Sequence, residues 1–422
     1  MKFLRFGICA LAVFAVVAHG GVEDWARAVF ETVAGLLLLA WALWIYFTEE
    51  EQIVFSPLLP PLAAFTLVVC GQWVFHGTAS SYSTRMELLL VVSDLILLFL
   101  AVQAFRTLQD WRGFVWFGMI FGFVVCIFGI LQHLTFNGRL YWFREMHYGG
   151  IPFGPYVNRN HFAGFVELIL PFALVPLVLG RVRRERWLVV GVFAVVPIGA
   201  LFLSVSRGGI VSFGVELAVL ALVMIQRRTA GKQLFAGAAV LIMALLMVSW
   251  LGVGQLLQRF SSFQSLEATA GKRASMRHDT WQIFLHHPIA GTGLGTLQIV
   301  YPPYESLYDG KIVNHTHNDY LEALAETGIL GGLCCAWFLS SLFSQSLMRL
   351  RRDNNSFAGT LQLSGLVACS GFLVHGLVDF NLHIPSNAFL FFLMSHLATT
   401  EIQTAATEPT HHRSRHRIPR ND

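Results

Sequence analysis

Long apolar runs divide this chain, and they limit what it can fold into. Hydrophobic residues make up 55% of the 422 positions and charged residues only 13%, about half the charged share of an ordinary soluble domain. Because a transmembrane helix needs about 20 apolar residues, the pattern predicts an all-α polytopic membrane protein with about 12 transmembrane helices. The predicted runs are 4–20, 26–47, 53–76, 86–105, 113–135, 161–180, 187–204, 209–226, 233–251, 319–346, 357–378 and 384–400.

The placement of basic residues predicts the orientation of these helices. Of the 29 lysines and arginines, 18 fall in one set of alternate connections, where they cluster as RVRRER, QRRTAGK and RLRR. Short cytoplasmic loops keep such an excess, so both termini are predicted to be cytoplasmic. The first run is predicted to be a retained helix and not a cleaved signal peptide, because Ala18-His19-Gly20-Gly21 is a poor cleavage site.

Two outward-facing connections, 136–160 and 252–318, are much longer than the usual four to six residues. The second lies between predicted helices 9 and 10, is rich in Gly, His, Tyr and Pro, and is expected to form an extracytoplasmic lid. We therefore expect N-terminal helices in 1–135, a functional transmembrane core in 136–402 and a disordered basic cytoplasmic tail in 403–422. The bilayer is an expected partner, and the net charge of +4 implies no nucleic acid.

One polar loop runs directly into an apolar helix at His317-Asn318-Asp319. Asn318 or Asp319 can cap that helix, which leaves His317 just outside the membrane. Glu322 and Glu326 share a helix face, and such buried charges either line a polar cavity or mark the helix start and pair with arginines. His315 and His317 suggest a metal pair, but no carboxylate or third ligand stands at a suitable spacing, so no metal site is predicted.

Five motifs occur in the order typical of one family, the O-antigen ligase and polysaccharide polymerase superfamily, and the chain resembles it from about residue 158 to 385. They are Asn158-Arg159-Asn160-His161 followed by Pro171, Ser204-Val205-Ser206-Arg207-Gly208-Gly209, Arg277-x-x-x-Trp281 with His287-Pro288-Ile289-Ala290-Gly291-Thr292-Gly293-Leu294-Gly295, His317-Asn318 with Gly328-x-x-Gly331, and Asp379-Phe380-Asn381 with Pro385.

This resemblance implies an inner-membrane glycosyltransferase with a GT-C-like fold. Such enzymes move a glycan from a polyprenyl (undecaprenyl) diphosphate carrier to an acceptor at the periplasmic face, without a metal or other cofactor. It further implies that Arg207 and Arg277 bind the diphosphate, and that His317 either assists acceptor attack or holds the diphosphate. A physical argument points the same way: without a metal, fixed guanidinium groups can stabilise the charge that develops on the leaving group.

Further substrate-binding candidates surround these three catalytic candidates. Arg207 has an alternative as a plain interfacial arginine, and Arg273 or Lys272 can replace Arg277 as the phosphate ligand. Asp379 is expected to orient an arginine, and Arg85 is a solitary outward-facing cation. The full set of substrate-binding candidates is Asn318, Arg273, Asn158, Arg159, His161, Arg85, Glu326 and Asp379.

The sequence leaves several functions open. Within the superfamily, the reaction is ligation of O-antigen to lipid A core, polymerisation of repeat units, or transfer of an oligosaccharide to protein. Outside it, a lipid-linked glycan flippase would place charges at the bilayer midplane, whereas these cations gather near helix ends. A channel or scaffold would leave the arginines without a role. A cell-wall polymerase of the rod-shape and division type would need a catalytic acid in an outer loop.

Overall fold

A computed structural model describes residues 1–48, 53–145, 151–226, 231, 237–244, 246–247, 249, 263–308, 310–353 and 356–403. The named helices within these ranges are α1 Lys2–Val17, α2 Asp24–Thr48, α3 Leu59–Val74, α4 Ser81–Ala104, α5 Leu108–Leu134, α6 Arg159–Ile169, α7 Pro171–Val178, α8 Trp187–Leu203, α9 Arg207–Gln226, α10 Phe263–His286, α11 Leu297–Val300, α12 Asp319–Arg352, α13 Phe357–His375 and α14 Pro385–Thr399. The described residues contain no β-strand beyond three isolated bridges. The predicted all-α class is confirmed.

Within the described residues, seven helices are long and apolar enough to cross a membrane, whereas twelve were predicted for the whole chain. They are Asp24–Thr48, Ser81–Ala104, Leu108–Leu134, Arg184–Leu203, Arg207–Gln226, Asp319–Arg352 and Phe357–His375. Helical residues occur at all twelve predicted runs; in the run 233–251 the described residues are 237–244, 246–247 and 249, and all of these are helical. The chain is thus a polytopic membrane protein.

Five predicted runs are not among these seven helices, and two of the five have a clear physical explanation. The run 161–180 is broken at Pro171 into α6 and α7, which meet at 41° and count as an eighth span only if taken together. Proline lacks the N–H that continues a helix and clashes with the preceding turn. The run 384–400 forms the 15-residue α14, whose residues are all buried except Phe392. Its apolar sequence therefore reflects burial in protein on every side. Hydropathy alone cannot distinguish a helix buried in protein from a helix that faces lipid.

The core is formed around α13 and α14, which pack on each other and receive the helices from both halves of the chain. Phe30 of α2 meets Phe389 of α14 edge-on at a centroid distance of 5.8 Å. Phe372 of α13 stacks with Phe391 of α14 at 5.3 Å. One cluster of buried apolar residues runs from Leu4 to Ile402. The ends of α13 and α14, and the turn that joins them, are thereby held by most of the bundle.

The segment 252–318 differs from the expected loop. Residues 263–286 form the 24-residue α10, which is followed by a glycine-rich turn, α11 and a 3-10 turn at Pro302–Tyr304. Buried residues Met276, Ile283, Leu297, Tyr301 and Val313 form a small apolar core with Ala325 of α12. This segment therefore packs on the first turns of α12, while residues 252–262 and the basic tail 404–422 lie outside the described residues.

Candidate functional site

The turn between α13 and α14 carries a buried carboxylate, Asp379, on which several motifs meet. Its side chain is 1% exposed and accepts hydrogen bonds from His317 Nδ1 at 3.2 Å and from its neighbour's backbone N–H, on Phe380, at 2.9 Å. The Asn160 side-chain amide also donates to it. Burial alone would raise the pKa of Asp379, but the nearby His161 and the hydrogen bond and charge of His317 hold it well below its usual value. Asp379 is therefore an anion that accepts only.

His317 is oriented by this carboxylate. Because an ionised carboxylate can only accept, Nδ1 of His317 must carry a proton, which makes Nε2 the nitrogen free to accept one. The side chain is 25% exposed, so its remaining nitrogen can be reached from outside. The His317 backbone has a positive φ of 53°, a conformation that costs about 1–3 kcal/mol in residues with a side chain and clusters at functional sites.

The residues next to His317 fix the start of α12. Asn318 caps the helix by accepting from Leu321 N at 2.9 Å, as one of the two predicted alternatives required, and its amide donates to Leu377 O at 3.0 Å. Asp319 N donates to Gly376 O at 2.9 Å. The loop that carries His317 is thus attached to the same α13–α14 turn that supplies Asp379.

Phe380 fills the space between three histidine rings. Its ring stacks on His315 at a centroid distance of 4.1 Å, meets His161 edge-on at 4.7 Å and lies 5.1 Å from His317. His161 is buried, with Nε2 3.8 Å from Asp379 Oδ1. The side chains of α6, of the His317 loop and of the α13–α14 turn therefore form one packed unit.

Two arginine-bearing segments reach the same turn. Arg273 of α10 donates from Nη1 to Val378 O at 3.0 Å. Arg277 lies one helical turn further along α10 and is partly buried, so both guanidinium groups leave the same helix face. At the start of α9, a Cβ added to Gly208 would lie 3.1 Å from the Val378 side chain, so the Ser-Arg-Gly turn that carries the exposed Arg207 packs on this residue.

The glycine-rich turn and Gly328 are two halves of one backbone contact. Thr292 N and Gly293 N donate to Ala325 O and Glu326 O at 3.1 and 2.9 Å, where α12 is broken at Gly328. A Cβ on Gly291 would overlap the Glu326 backbone, and one on Gly328 would overlap the Ile289 carbonyl. Both glycines also have positive φ, of 70° and 63°. Only glycine meets both conditions, which explains two motifs that lie far apart in the sequence.

Glu326 serves this contact. Its two carboxylate oxygens accept from Gly295 N at 2.9 Å and Leu297 N at 2.8 Å, so it anchors the glycine-rich turn to α12. Glu322 is engaged by histidines and by Thr316. The alternative in which these glutamates pair with arginines is therefore wrong for the described residues, because backbone N–H groups and imidazoles satisfy them. The expectation that Asp379 orients an arginine is also wrong for the described residues, because its side chain orients His317.

A second cluster lies behind His317. Glu322 Oε1 is hydrogen-bonded to His315 Nδ1 at 2.7 Å and lies 3.4 Å from His383 Nε2. The other ring nitrogen of His383, Nδ1, is hydrogen-bonded to Asp319 Oδ1 at 3.1 Å. Burial alone would lower the pKa of His383, but the charges of Glu322 and Asp319 raise it to about 10. The expectation that no carboxylate or third ligand joins His315 is wrong, because Glu322 and His383 do so through the fold.

The remaining predicted residues have different positions. Asn158 caps α6 by accepting from Asn160 N at 2.9 Å, and Arg159 is the first residue of that helix, with its backbone N bonded to Ile151 O at 2.9 Å. Arg85 is exposed in the first turn of α4 with its guanidinium 5.7 Å from the Tyr82 ring centroid. Among the described residues, Arg85 makes no contact with the Asp379 turn, whereas α6 reaches that turn through Asn160 and His161.

Sequence reasoning missed three residues of the site: Phe380 as the packing centre, His383 as a partner of the glutamates, and Asn160 as a ligand of Asp379. The signal for His383 was its position four residues after Asp379 in a polar turn between two apolar runs. The spacing alone did not indicate that this turn faces His315 and Glu322.

The site combines a histidine oriented by a carboxylate with arginine-bearing segments at one end of the helical bundle of a polytopic membrane protein. A family model described as O-Antigen ligase matches residues 192–336. This match supports a relationship to the O-antigen ligase and polymerase superfamily, and the matched stretch contains Arg207, Arg273, Arg277 and His317. Comparison with curated proteins found no match.

Proposed function

We propose that this protein is a glycosyltransferase of the bacterial inner membrane that moves a glycan from a polyprenyl diphosphate carrier to an acceptor at the periplasmic face. The observation that carries the proposal is the His317–Asp379 pair, with Nδ1 and Oδ1 3.2 Å apart, in a turn that also receives Arg273. Family membership supports the reaction class. The basic clusters RVRRER and RLRR support the orientation, since they favour the cytoplasmic side.

The proposed reaction is a direct displacement. His317 Nε2 takes the proton of an acceptor hydroxyl. The acceptor oxygen then attacks the anomeric carbon of the glycan, and the bond from that carbon to the diphosphate oxygen breaks, so the diphosphate carrier leaves. Asp379 stabilises the imidazolium that forms and keeps the ring in the correct tautomer. The configuration at the anomeric carbon is inverted. An acceptor of O-antigen ligase or polymerase type, lipid A core or a growing glycan, fits this scheme, and a protein hydroxyl remains the alternative.

Arginines are proposed to bind the leaving diphosphate, in place of a metal at the reacting atoms. Arg207 and Arg277 supply permanent charge and paired donors that match phosphate oxygens. Arg273 already donates one hydrogen bond to Val378 O and so attaches α10 to the α13–α14 turn. Arg277 is therefore the better phosphate ligand. The strengthening of these contacts as charge develops on the diphosphate is what accelerates the step.

The test is transfer in vitro from a polyprenyl-diphosphate oligosaccharide by the purified protein, with carrier and product followed by mass spectrometry. Wild type is expected to transfer the glycan and His317→Ala to lose transfer while still binding the carrier. The matched control is His286→Ala, which removes a histidine of the same segment that instead contacts Tyr304 Oη at 3.0 Å. If neither wild type nor variant breaks the glycosyl bond yet both bind the carrier, the protein is a flippase or carrier and the proposal is wrong.

A further inference from the structure

Three side chains near His317 converge with the chemistry of a metal site: His315 and Glu322 flank the start of α12, and His383 comes from the turn before α14. One ligand atom from each of His315, Glu322 and His383 can be chosen so that all lie within 4.8 Å of one another. Glu322 is 1% exposed, whereas His315 and His383 are 29% and 19% exposed, which leaves a path for an ion. Two imidazoles and one carboxylate are a common ligand set for zinc in proteins.

Each ligand is already oriented by a neighbour. Glu322 Oε2 accepts from Thr316 N at 2.8 Å and Thr316 Oγ1 at 3.0 Å, so Oε1 is the oxygen that faces the two rings. Asp319 Oδ1 accepts from His383 Nδ1 at 3.1 Å, which directs Nε2 towards Glu322. A carboxylate that holds the outer nitrogen of a ligating histidine is a regular feature of metal sites, because it fixes the tautomer and raises the basicity of the ring.

The separation of one ligand pair suits a small divalent ion without any change. Zinc lies about 2.0–2.2 Å from nitrogen and oxygen ligands in tetrahedral geometry, so its ligand atoms are separated by roughly 3.4 Å. His383 Nε2 and Glu322 Oε1 are 3.4 Å apart. His315 Nδ1 is closer, at 2.7 Å from the same oxygen, and its partly exposed ring must open outwards slightly to admit the ion.

We propose that His315, Glu322 and His383 bind one divalent transition-metal ion of the zinc type, oriented by Asp319 and completed by water. The ion ties the segment before His317 to the first turn of α12 and to the 3-10 turn at Asn381–His383. Its role is to position the backbone of His317. The inference does not rest on the proposed transfer reaction, because the ion takes no part in the bond chemistry and its binding is measured directly.

The test is titration of the metal-free, full-length protein in detergent with Co²⁺, which reports tetrahedral ligation by visible absorption, followed by displacement with Zn²⁺. The tail contains His411, His412 and His416, so these are replaced by alanine in every sample, and no histidine tag is used. One equivalent of Co²⁺ is expected to bind. Glu322→Gln and His383→Ala are expected to abolish this binding, and Asp319→Asn to weaken it by about 10- to 100-fold.

Two controls separate this site from its surroundings. His286→Ala removes a histidine outside the cluster, and His317→Gln removes one two positions from His315; both are expected to keep the full equivalent. Absence of binding by the parent protein overturns the proposal without reference to any variant. Binding that persists unchanged in His315→Ala and Glu322→Gln also overturns it, since the ion would then lie elsewhere. Each variant is compared by circular dichroism, and a misfolded one is replaced by His315→Ala, whose partly exposed ring can be removed with the least disruption.

Discussion

The most direct test of the proposed chemistry is Asp379→Asn, which removes a charge and almost no volume. Asp379 accepts from His317 Nδ1, Phe380 N and the Asn160 amide. The new amide at position 379 can keep its oxygen towards His317 and Phe380 and donate towards Asn160, whose own amide turns to present its oxygen. The fold should therefore tolerate the change, while the stabilisation of the His317 imidazolium is lost.

The expected effect on the rate follows from that lost charge. A hydrogen bond to a charged group contributes about 1.5–3 kcal/mol, and each 1.36 kcal/mol in the barrier is tenfold in rate, so kcat should fall by about 10- to 150-fold. The KM for the carrier should change little, because Asp379 is not proposed to contact the diphosphate. Single-turnover transfer in proteoliposomes separates the two constants.

A matched control exists at the opposite ends of the helices. Asp110 also accepts hydrogen bonds, from Thr107 N at 3.0 Å and Thr107 Oγ1 at 2.8 Å in the cap of α5. Asp110→Asn should therefore leave kcat unchanged. Wild-type kcat in Asp379→Asn, with both variants folded, would refute the role given to the His317–Asp379 pair.

Three further predictions concern charge, backbone and pH. Arg207→Ala and Arg277→Ala should each abolish transfer while the protein still inserts normally into the membrane. Arg277→Lys should abolish transfer as well, because an ammonium cannot make the paired contact with phosphate. If a variant still turns over the carrier, the substituted arginine does not bind the phosphate. Gly328→Ala should destabilise the protein by several kcal/mol, since φ is 63° and a Cβ meets the Ile289 carbonyl; a thermal midpoint equal to wild type would contradict this. Because the folded-state pKa of Asp379 is depressed, its contribution to stability is present above the unfolded value of about 3.9 and is lost as the pH falls below it; Asp379→Asn should lack this part of the acid dependence in melting experiments.

The sequence predicted the helices well because hydropathy is a local signal, and it failed where the same signal has two causes. Residues 384–400 are apolar because α14 is surrounded by protein, and 161–180 is interrupted at Pro171, so neither is a simple span. The segment 252–318 was expected to be a loop because it has few long apolar runs. Its helix α10 is polar, so the search for apolar runs did not detect it.

The candidate site shows a similar division. The motifs around Arg207, Arg277 and His317 were recognisable, since each is contiguous in the sequence. Their supports were not, because they depend on contacts between distant segments. Asn160 and Asp379 are 219 positions apart, and a Cβ on Gly291 is excluded by the backbone of Glu326, which lies 35 positions away. The missed cluster of His315, Glu322 and His383 follows the same rule.

The extent of the family match gives this division a functional meaning. Residues 192–336 contain Arg207, Arg273, Arg277 and His317, but neither Asp379, which orients the histidine, nor Asn160, which donates to Asp379. Asp379 comes from the α13–α14 turn and Asn160 from α6, both outside the match. In the proposed mechanism the matched region therefore supplies the cations and the base, whereas Asp379, from the flanking turn, fixes the tautomer and direction of that base. Substitutions at Asn160 or Asp379 should therefore alter proton transfer more than carrier binding, although neither residue lies in the matched region.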